Sequence, residues 1–155
     1  MDGRTPKSVF TRRALKILHE YAPQEAQKTG ASQPCAKHIL LAMLRSENFQ
    51  FLRELVVGQI FGRLHVNVEN LVIRIEKSWH TNRPQQPDRR DHGRIVEAVI
   101  KGSQEEAERL NHLCVGSEHI LLALLHDRNH GVDSVLADFG VTYQRVRAEL
   151  MAMRA

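Results

Sequence analysis

The sequence predicts an all-α fold of about eight helices, arranged as two tandem four-helix units related by a pseudo-two-fold axis. The main observation is an internal repeat: HILLAML at 38–44 is nearly identical to HILLALL at 119–125. The pairs Glu25-Ala26 and Glu106-Ala107 match in the same register. Elsewhere, apolar residues recur at helical spacing, and no alternating run or Asn-Gly turn favours a strand. A repeat of this kind fixes the architecture before any motif is weighed.

The composition is that of one soluble globular domain, with 155 residues, 42% hydrophobic and 26% charged. No apolar run approaches the roughly eighteen residues of a membrane span, and the start MDGRTPKSVFTRR lacks the apolar core of a secretory signal. Two cysteines, Cys35 and Cys114, do not make a disulfide framework. We therefore expect a cytoplasmic protein with both thiols reduced and no membrane partner.

The charge pattern is mildly basic, with a formal net charge of +4. The basic residues are mostly arginines mixed with acids, whereas a DNA-binding domain usually concentrates them on one face. The densest stretch, Arg83 to Arg94, is interpreted as solvated surface and connector. A basic all-helical nucleic-acid-binding regulator remains the alternative hypothesis, and it would bind DNA with steep salt dependence.

Repeat one is expected to span residues 9–79. Its first helix runs from Phe10 to Lys28, with Thr11 as N-cap and Gly30 as C-terminal stop. Pro23 predicts a kink, because proline removes a backbone hydrogen bond and crowds the preceding turn. The other predicted helices are Ala36–Ser46, Phe49–Gly62 with a break at Gly58, and Asn67–Trp79 capped by Asn67.

Repeat two is expected to span residues 92–152, after a proline-containing connector at 80–91. In its second helix, Ser117 is the predicted N-cap and Glu118 lies where a helix N-terminus favours negative charge. The predicted helices are Gly93–Leu110, Ser117–His126, Val132–Phe139 ended by Gly140, and a last helix from the cap Thr142 to about Met153.

The repeats differ by six extra residues in repeat one, around NFQFLRELVVGQ. Most of these residues are apolar. Two interpretations follow, an addition to the core or an exposed apolar patch that binds a partner.

The motifs together resemble the Clp N-terminal repeat domain, found at the front of the Clp ATPases that unfold proteins for the Clp protease. The resemblance covers about residues 9 to 152, and repeat two is the closer match. The residues that carry it are the FT-x-x-A start (Phe10, Thr11, Ala14), the two Glu-Ala pairs, VGSEHILLALL at 115–125, VLADFGV at 135–141 and a closing amphipathic helix.

The chain has no G-x-x-x-x-G-K-[ST] phosphate loop, so no ATPase activity is expected. It would be an excised N-domain or a stand-alone protein, and the initiating methionine and compact ending favour the latter. The resemblance implies a non-enzymatic module that binds substrates, adaptors or Clp unfoldase or protease subunits in protein quality control, with no cofactor. We place partner contacts in a groove between the repeats, near Thr11, Lys37, Ser117 and Glu118.

Some Gram-positive members of this family resemble receptors for phosphoarginine. The resemblance implies that the acidic residue before the histidine of EHILL pairs with the guanidinium. Glu118 keeps this acid, whereas Lys37 replaces it in repeat one; Thr11 keeps the hydroxyl of the FT start, whereas Gly93 replaces it in repeat two. Because neither repeat keeps both elements, phosphoarginine is the less favoured ligand.

Three groups of residues have side chains that occur in chemical sites, but their pattern favours structural or surface roles. The equivalent His38 and His119 are interpreted as structural residues that hydrogen-bond the neighbouring turn. Cys35-x-x-His38 and the group His112, Cys114 and His119 fall short of the four ligands in two close pairs typical of structural zinc. The carboxylates Glu105 and Glu108 share a helix face and are interpreted as solvated surface. We therefore predict no catalytic residue and no metal.

Overall fold

The structure is a computed structural model that describes residues 9–45, 50–81, 89–127 and 131–154. Its elements in chain order are β1 Val9–Phe10, α1 Arg12–Lys16, a π-helical turn Ile17–Tyr21, α2 Ala22–Lys28, α3 Ala36–Arg45, α4 Gln50–Arg53, α5 Val56–Arg63, α6 Val68–Thr81, α7 Arg89–Arg109, β2 Cys114–Val115, α8 Ser117–His126, α9 Asp133–Asp138 and α10 Tyr143–Arg154. The all-α prediction is confirmed.

The two repeated segments form the central helices α3 and α8. Every side chain from His38 to Leu44 and from Ser117 to Leu125 is buried. A helix that is apolar around its whole circumference is stable only inside a core. Helices α2 and α7 cover α3 and α8 respectively, while α5, α6 and α10 cover other sides. The repeat therefore places two equivalent helices at the centre of one core.

Equivalent turns end the equivalent helices of the two halves. After α2 the chain turns at Gly30, with φ of 78°, and after α7 it turns at Asn111, with φ of 59°. His65 and Gly140 take the same left-handed conformation after α5 and α9, with φ of 57° and 79°. Glycine and asparagine adopt this conformation more readily than other residues. The predicted stops at Gly30 and Gly140 are confirmed.

Side-chain caps begin several helices as the sequence predicts. The side-chain oxygens of Thr11, Asn67 and Thr142 accept hydrogen bonds from the backbone N–H three residues later, at 3.1, 3.1 and 3.2 Å. The predicted cap at Ser117 is wrong, because Gly116 is the N-cap of α8 and Ser117 is already helical. The Ser117 hydroxyl instead bonds to another helix, a long-range contact that local spacing does not reveal.

The predicted first helix is continuous but changes geometry just before Pro23. Ile17–Tyr21 forms a π-helical turn, and the Ala22 N–H donates to the Ile17 carbonyl oxygen. A π-helical turn holds an additional residue. Repeat one indeed has one more residue between Thr11 and Glu25 than repeat two has between Gly93 and Glu106. The π-helical turn therefore absorbs a single-residue difference between the repeats.

The extra segment of repeat one adds to the core. Phe51, Leu52 and Leu55 are buried, and the Phe51 ring packs edge-on against Tyr21 with centroids 4.9 Å apart. The core interpretation is confirmed for these residues, while Phe49 lies outside the described part of the chain. The predicted break at Gly58 is wrong, because the chain leaves the helix at 54–55 and Gly58 lies inside α5.

The expectation of no strand fails at one place, where β1 and β2 form a short parallel pair. Val9 pairs with Cys114 and Phe10 with Val115. The Thr11 N–H extends the pair by donating to the Val115 carbonyl oxygen at 2.9 Å. Two residues are too few for alternation to be seen in a sequence. The pair fastens the start of repeat one to the loop before α8 in repeat two.

The helices α6 and α7 extend into the predicted connector from both sides. Helix α6 ends at Thr81, and α7 begins at Arg89 rather than at Gly93. Both prolines of the connector, Pro84 and Pro87, lie between these bounds. Proline disrupts a helix mainly on its N-terminal side. Helix α7 can therefore begin soon after Pro87.

Glu25 and Glu106 are buried at equivalent positions of the two repeats, but their carboxylates are neutralised differently. Glu25 is 2% exposed. Its carboxylate accepts hydrogen bonds from Nε of Arg45 at 3.1 Å and from Nζ of Lys28 at 3.3 Å. Burial raises the pKa of Glu25, but the hydrogen bonds and charges of Arg45 and Lys28 outweigh it and hold that pKa below its ordinary value. Arg45 also donates to Glu76 at 2.6 Å.

In repeat two, the equivalent Glu106 accepts from the Tyr143 hydroxyl at 2.6 Å and from Arg109 at 2.7 Å. His126 occupies the position of Arg45, and its Nδ1 stays 3.6 Å from the carboxylate. A tyrosine hydroxyl of α10 therefore takes part of the role that an arginine of α3 has in repeat one.

We predict that Gly58→Ala destabilises the protein by about 1–3 kcal/mol, because a Cβ there would collide with the backbone carbonyl oxygen of Leu52. Gly62→Ala is the matched control in the same helix, with open space around its Cβ. Its higher helix propensity should stabilise the protein by up to about 1 kcal/mol. Urea denaturation measures both, and equal effects would contradict the close approach of Gly58.

We also predict that Arg45→Met lowers the free energy of unfolding at pH 7 by about 3 kcal/mol, since it leaves the buried Glu25 carboxylate with only Lys28. The pKa of Glu25 is depressed in the folded state, so the stability it contributes is present above its ordinary pKa of 4.5 and is lost as the pH falls through the lower folded value. The loss caused by the mutation should therefore shrink on acidification.

Arg74→Met is the control for Arg45→Met, because the Arg74–Asp138 pair is about half exposed on both sides. An exposed ion pair contributes no more than about 1 kcal/mol. Urea denaturation of both variants from pH 7 to pH 3 makes the comparison. A pH-independent loss in Arg45→Met would show that packing, rather than charge, dominates at this position.

Candidate functional site

A groove of about 340 Å³ lies where the N-terminal ends of α1, α5 and α8 meet. Each of its three walls comes from a different part of the chain. The first wall is the start of α1, the second is the turn before α5, which belongs to the extra segment of repeat one, and the third is the junction of β2 and α8. The lining residues are Thr11, Arg12, Arg13, Glu54, Leu55, Val56, Cys114, Gly116, Ser117 and Glu118.

The β1–β2 pair positions Thr11 in this groove. Its backbone N–H bonds to Val115, and its hydroxyl oxygen accepts from the Ala14 N–H at 3.1 Å. A hydroxyl that accepts one hydrogen bond can still donate another. Thr11 thus presents a fixed hydroxyl to the groove at the N-terminus of a helix.

Ser117 holds the second and third walls together. It is 3% exposed, and its hydroxyl oxygen accepts from the Val57 N–H at 3.4 Å. Val57 lies in the first turn of α5, where backbone N–H groups have no partner within the helix. The contact therefore satisfies one such group and joins the N-termini of α5 and α8.

Glu118 supplies the acid of the groove, in the first turn of α8. Its side chain folds back over Gly116, so that a Cβ at that position would collide with the carboxylate. The glycine therefore makes room for the carboxylate, and the positive end of α8 favours its charge. Glu118 is 8% exposed and lies beside His119, whose Nδ1 is 3.9 Å from its carboxylate.

The two equivalent histidines brace the turns that precede α3 and α8. The Nδ1 of His38 accepts from the Cys35 N–H, and the Nδ1 of His119 accepts from the Gly116 N–H, both at 2.9 Å. This is the reach-back bond of a capping box, made by an imidazole instead of a carboxylate.

The other ring nitrogen of each histidine is also engaged. Because Nδ1 accepts, the proton of the neutral ring lies on Nε2. Nε2 of His38 contacts the Thr29 hydroxyl at 2.7 Å, and Nε2 of His119 contacts Nδ1 of the buried His112 at 2.7 Å. With both nitrogens engaged, neither ring offers a nitrogen to a metal ion.

The structure brings together Thr11, Ser117 and Glu118 but not Lys37. Lys37 lies at the N-terminal end of α3, half-buried and outside the residues that line the groove. Burial, partly offset by the nearby Cys35, lowers the pKa of its ammonium group.

Sequence reasoning missed Glu54 and Arg13, which form an ion pair at 3.3 Å on the groove walls. Glu54 belongs to the extra segment, which we interpreted as an addition to the core or as an exposed apolar patch. The adjacent charged residues Arg53 and Glu54 in this mostly apolar segment were the available signal. The side chains of Arg13 and Glu54 are about half exposed, so the pair contributes little to stability.

Other site classes find little support in the described residues. No group of three His, Cys, Asp or Glu side chains there could hold a metal ion. In the same part of the chain, no helix is long and apolar enough to cross a membrane. Several arginines have their charge neutralised by acids, and the pairs are Arg13–Glu54, Arg45–Glu25, Arg63–Glu149, Arg74–Asp138 and Arg109–Glu106.

Comparisons with known proteins relate the chain to Clp chaperones. Residues 93–154 match the family model described as the Clp repeat (R) N-terminal domain. Over 93% of its length, the chain is 29% identical to the chaperone protein ClpB of Oceanobacillus iheyensis. It is equally similar, over the same share, to the negative regulator of genetic competence ClpC/MecB of Bacillus subtilis. The chain spans only 17% of the length of either relative.

A solved structure shows the same fold. The crystal structure of the N-terminal domain of ClpD, a caseinolytic protease associated chaperone from Arabidopsis thaliana, matches with a TM-score of 0.63. The match covers 99% of both chains at 15% sequence identity.

Proposed function

Because this chain has the fold of a Clp N-terminal domain and is related in sequence to the N-terminal regions of Clp chaperones, we propose that it is a non-catalytic protein-interaction module. Its partner is a substrate, an adaptor, or a subunit of a Clp unfoldase or protease. The observation that carries this proposal is the groove in which Thr11, Ser117 and Glu118 converge from both halves of the chain.

The chemistry of the groove supports an extended peptide segment as the bound part of the partner. Hydroxyl groups and a carboxylate offer polar contacts, while Leu55 and Val56 offer apolar ones. Few fixed polar groups on a partly apolar surface are typical of binding sites in proteins. Glu118 favours a cationic side chain in that segment.

Phosphoarginine is a specific candidate ligand for the same groove. The resemblance assigns phosphoarginine recognition to the hydroxyl of the FT start and to the acid before the EHILL histidine. In this chain these residues are Thr11 and Glu118. They belong to different repeats but line the same groove. Arg12 and Arg13 line the same groove and could balance the phosphoryl charge. A second, symmetry-related site would use Lys37 in place of the acid and Gly93 in place of the hydroxyl. We therefore propose a single site.

The nucleic-acid alternative is less well supported. A DNA-binding surface releases counterions through unpaired Lys and Arg side chains. Here, arginines on α1, α3, α5, α6 and α7 lie against carboxylates. A gel-shift assay across salt concentrations tests the point, and tight salt-sensitive binding would favour the nucleic-acid function.

We predict that Glu118→Gln weakens the binding of free phosphoarginine about tenfold or more, since it removes a charge-assisted contact to the guanidinium. Isothermal titration calorimetry measures the affinity. Glu97→Gln, an exposed position on α7, is the matched control and should leave it unchanged. No binding by the parent protein would end the phosphoarginine proposal, and unchanged binding by Glu118→Gln would remove Glu118 from the site.

We also predict that an unfolded client protects Cys114 from thiol labelling. Cys114 is exposed and lines the groove, whereas Cys35 is half-buried elsewhere and serves as an internal control. Labelling is followed by mass spectrometry with and without reduced, carboxymethylated α-lactalbumin. Labelling of Cys114 should slow several-fold while that of Cys35 does not change. Equal rates despite demonstrated binding would place the client elsewhere on the surface.

A further inference from the structure

A second cavity, of about 230 Å³, lies on repeat two between α7 and the C-terminal half of α8. It is separate from the groove and shares no lining residue with it. The lining residues are Ala98, Lys101, Gly102, Glu105, Glu106, Arg109, Ala123, His126 and Asp127.

The equivalent space in repeat one is filled by the chain itself. In the register that aligns Glu25 with Glu106, Gly102 stands at the position of Tyr21 and His126 at that of Arg45. The Tyr21 ring is 7% exposed and packs against Phe51 of the extra segment, while Arg45 reaches the carboxylate of Glu25.

Repeat two has smaller side chains at the two equivalent positions. Gly102 has no side chain, and a Cβ there would lie only 3.1 Å from the Cβ of Ala123, so α7 and α8 approach closely at this point. His126 is shorter than arginine and remains 56% exposed. Repeat two is also six residues shorter than repeat one at the position of the extra segment. In this register, the cavity lies beside the position that holds the Tyr21 ring in repeat one.

We propose that this cavity binds a phenylalanine or tyrosine side chain presented by a protein partner, with the ring in the place of Tyr21. Gly102 and Ala123 form a floor of small residues, and Ala98 lies at the exposed edge. The volume is sufficient, because a cavity of about 150 Å³ already holds benzene in another protein. The partner surface around the ring would take the place of the extra segment.

The rim of the cavity offers groups that can contact an aromatic ring. Lys101 and Arg109 lie there with the acids Glu105, Glu106 and Asp127, and Arg109 pairs with Glu106 at 2.7 Å. A cation over the face of an aromatic ring is attractive. The His126 ring already packs edge-on against Tyr143, with centroids 5.3 Å apart, so it presents an aromatic surface to an incoming ring.

The blocked peptides acetyl-Gly-Tyr-Gly-amide and acetyl-Gly-Phe-Gly-amide are the probes, followed by NMR of the ¹⁵N-labelled protein. We expect saturable shifts of the Gly102, Ala123 and His126 amides with dissociation constants of about 1–10 mM, since one buried ring contributes a small part of an interface. The alanine version of the peptide should give none. Absence of saturable shifts with the aromatic peptides overturns the proposal.

Two variants locate the binding. Ala98 is exposed at the edge of the cavity, so Ala98→Phe fills it from the protein side and should abolish the shifts. Ala148→Phe, at an exposed position of α10, is the matched control and should bind as the parent does. Unchanged binding by Ala98→Phe overturns the proposal. Because Glu118→Gln leaves this cavity intact, failure here and failure of the groove are distinguishable.

Discussion

The need to remove α3 and α8 from water governs the rest of the structure. Both helices are apolar on every side, so neither could exist with one face exposed, and every other helix is placed as part of their cover. The polar features lie at the ends of these helices. The groove forms at the N-terminal end of α8 and the second cavity at its C-terminal half. Both candidate surfaces therefore lie where the cover of one central helix is incomplete.

Much of the fold could be read from the sequence because it depends on local signals. The helical spacing and the caps at Thr11, Asn67 and Thr142 involve residues within one or two turns of each other. The repeat is visible because its two segments are nearly identical in sequence. The features that were missed are long-range or depend on small backbone differences. The β1–β2 pair joins residues about one hundred positions apart through backbone atoms, which carry no side-chain signature. Ser117 was mistaken for a cap because its true partner, Val57, lies in the other half of the chain.

The candidate site was predictable in part. The sequence predicts contacts in a groove between the repeats near Thr11, Lys37, Ser117 and Glu118, and all of these except Lys37 line one groove. The β1–β2 pair, which the sequence does not predict, carries Thr11 to the loop before α8. Lys37 was grouped with them by repeat symmetry, yet it lies apart from the groove. The second cavity appears only when Tyr21 and Arg45 are compared with Gly102 and His126 in three dimensions.

The crossing of β1 from one half to the other bears on how such a protein can arise and change. A gene encoding a single four-helix unit could make the same strand contact between two separate molecules, and fusion of two copies would turn that dimer contact into an internal one. Once fused, each half is free to lose what the other supplies. Here one half has six additional residues and the hydroxyl of Thr11, while the other has the acid Glu118. The halves are complementary, so an exchange of one repeat between relatives would separate the two parts of a single groove.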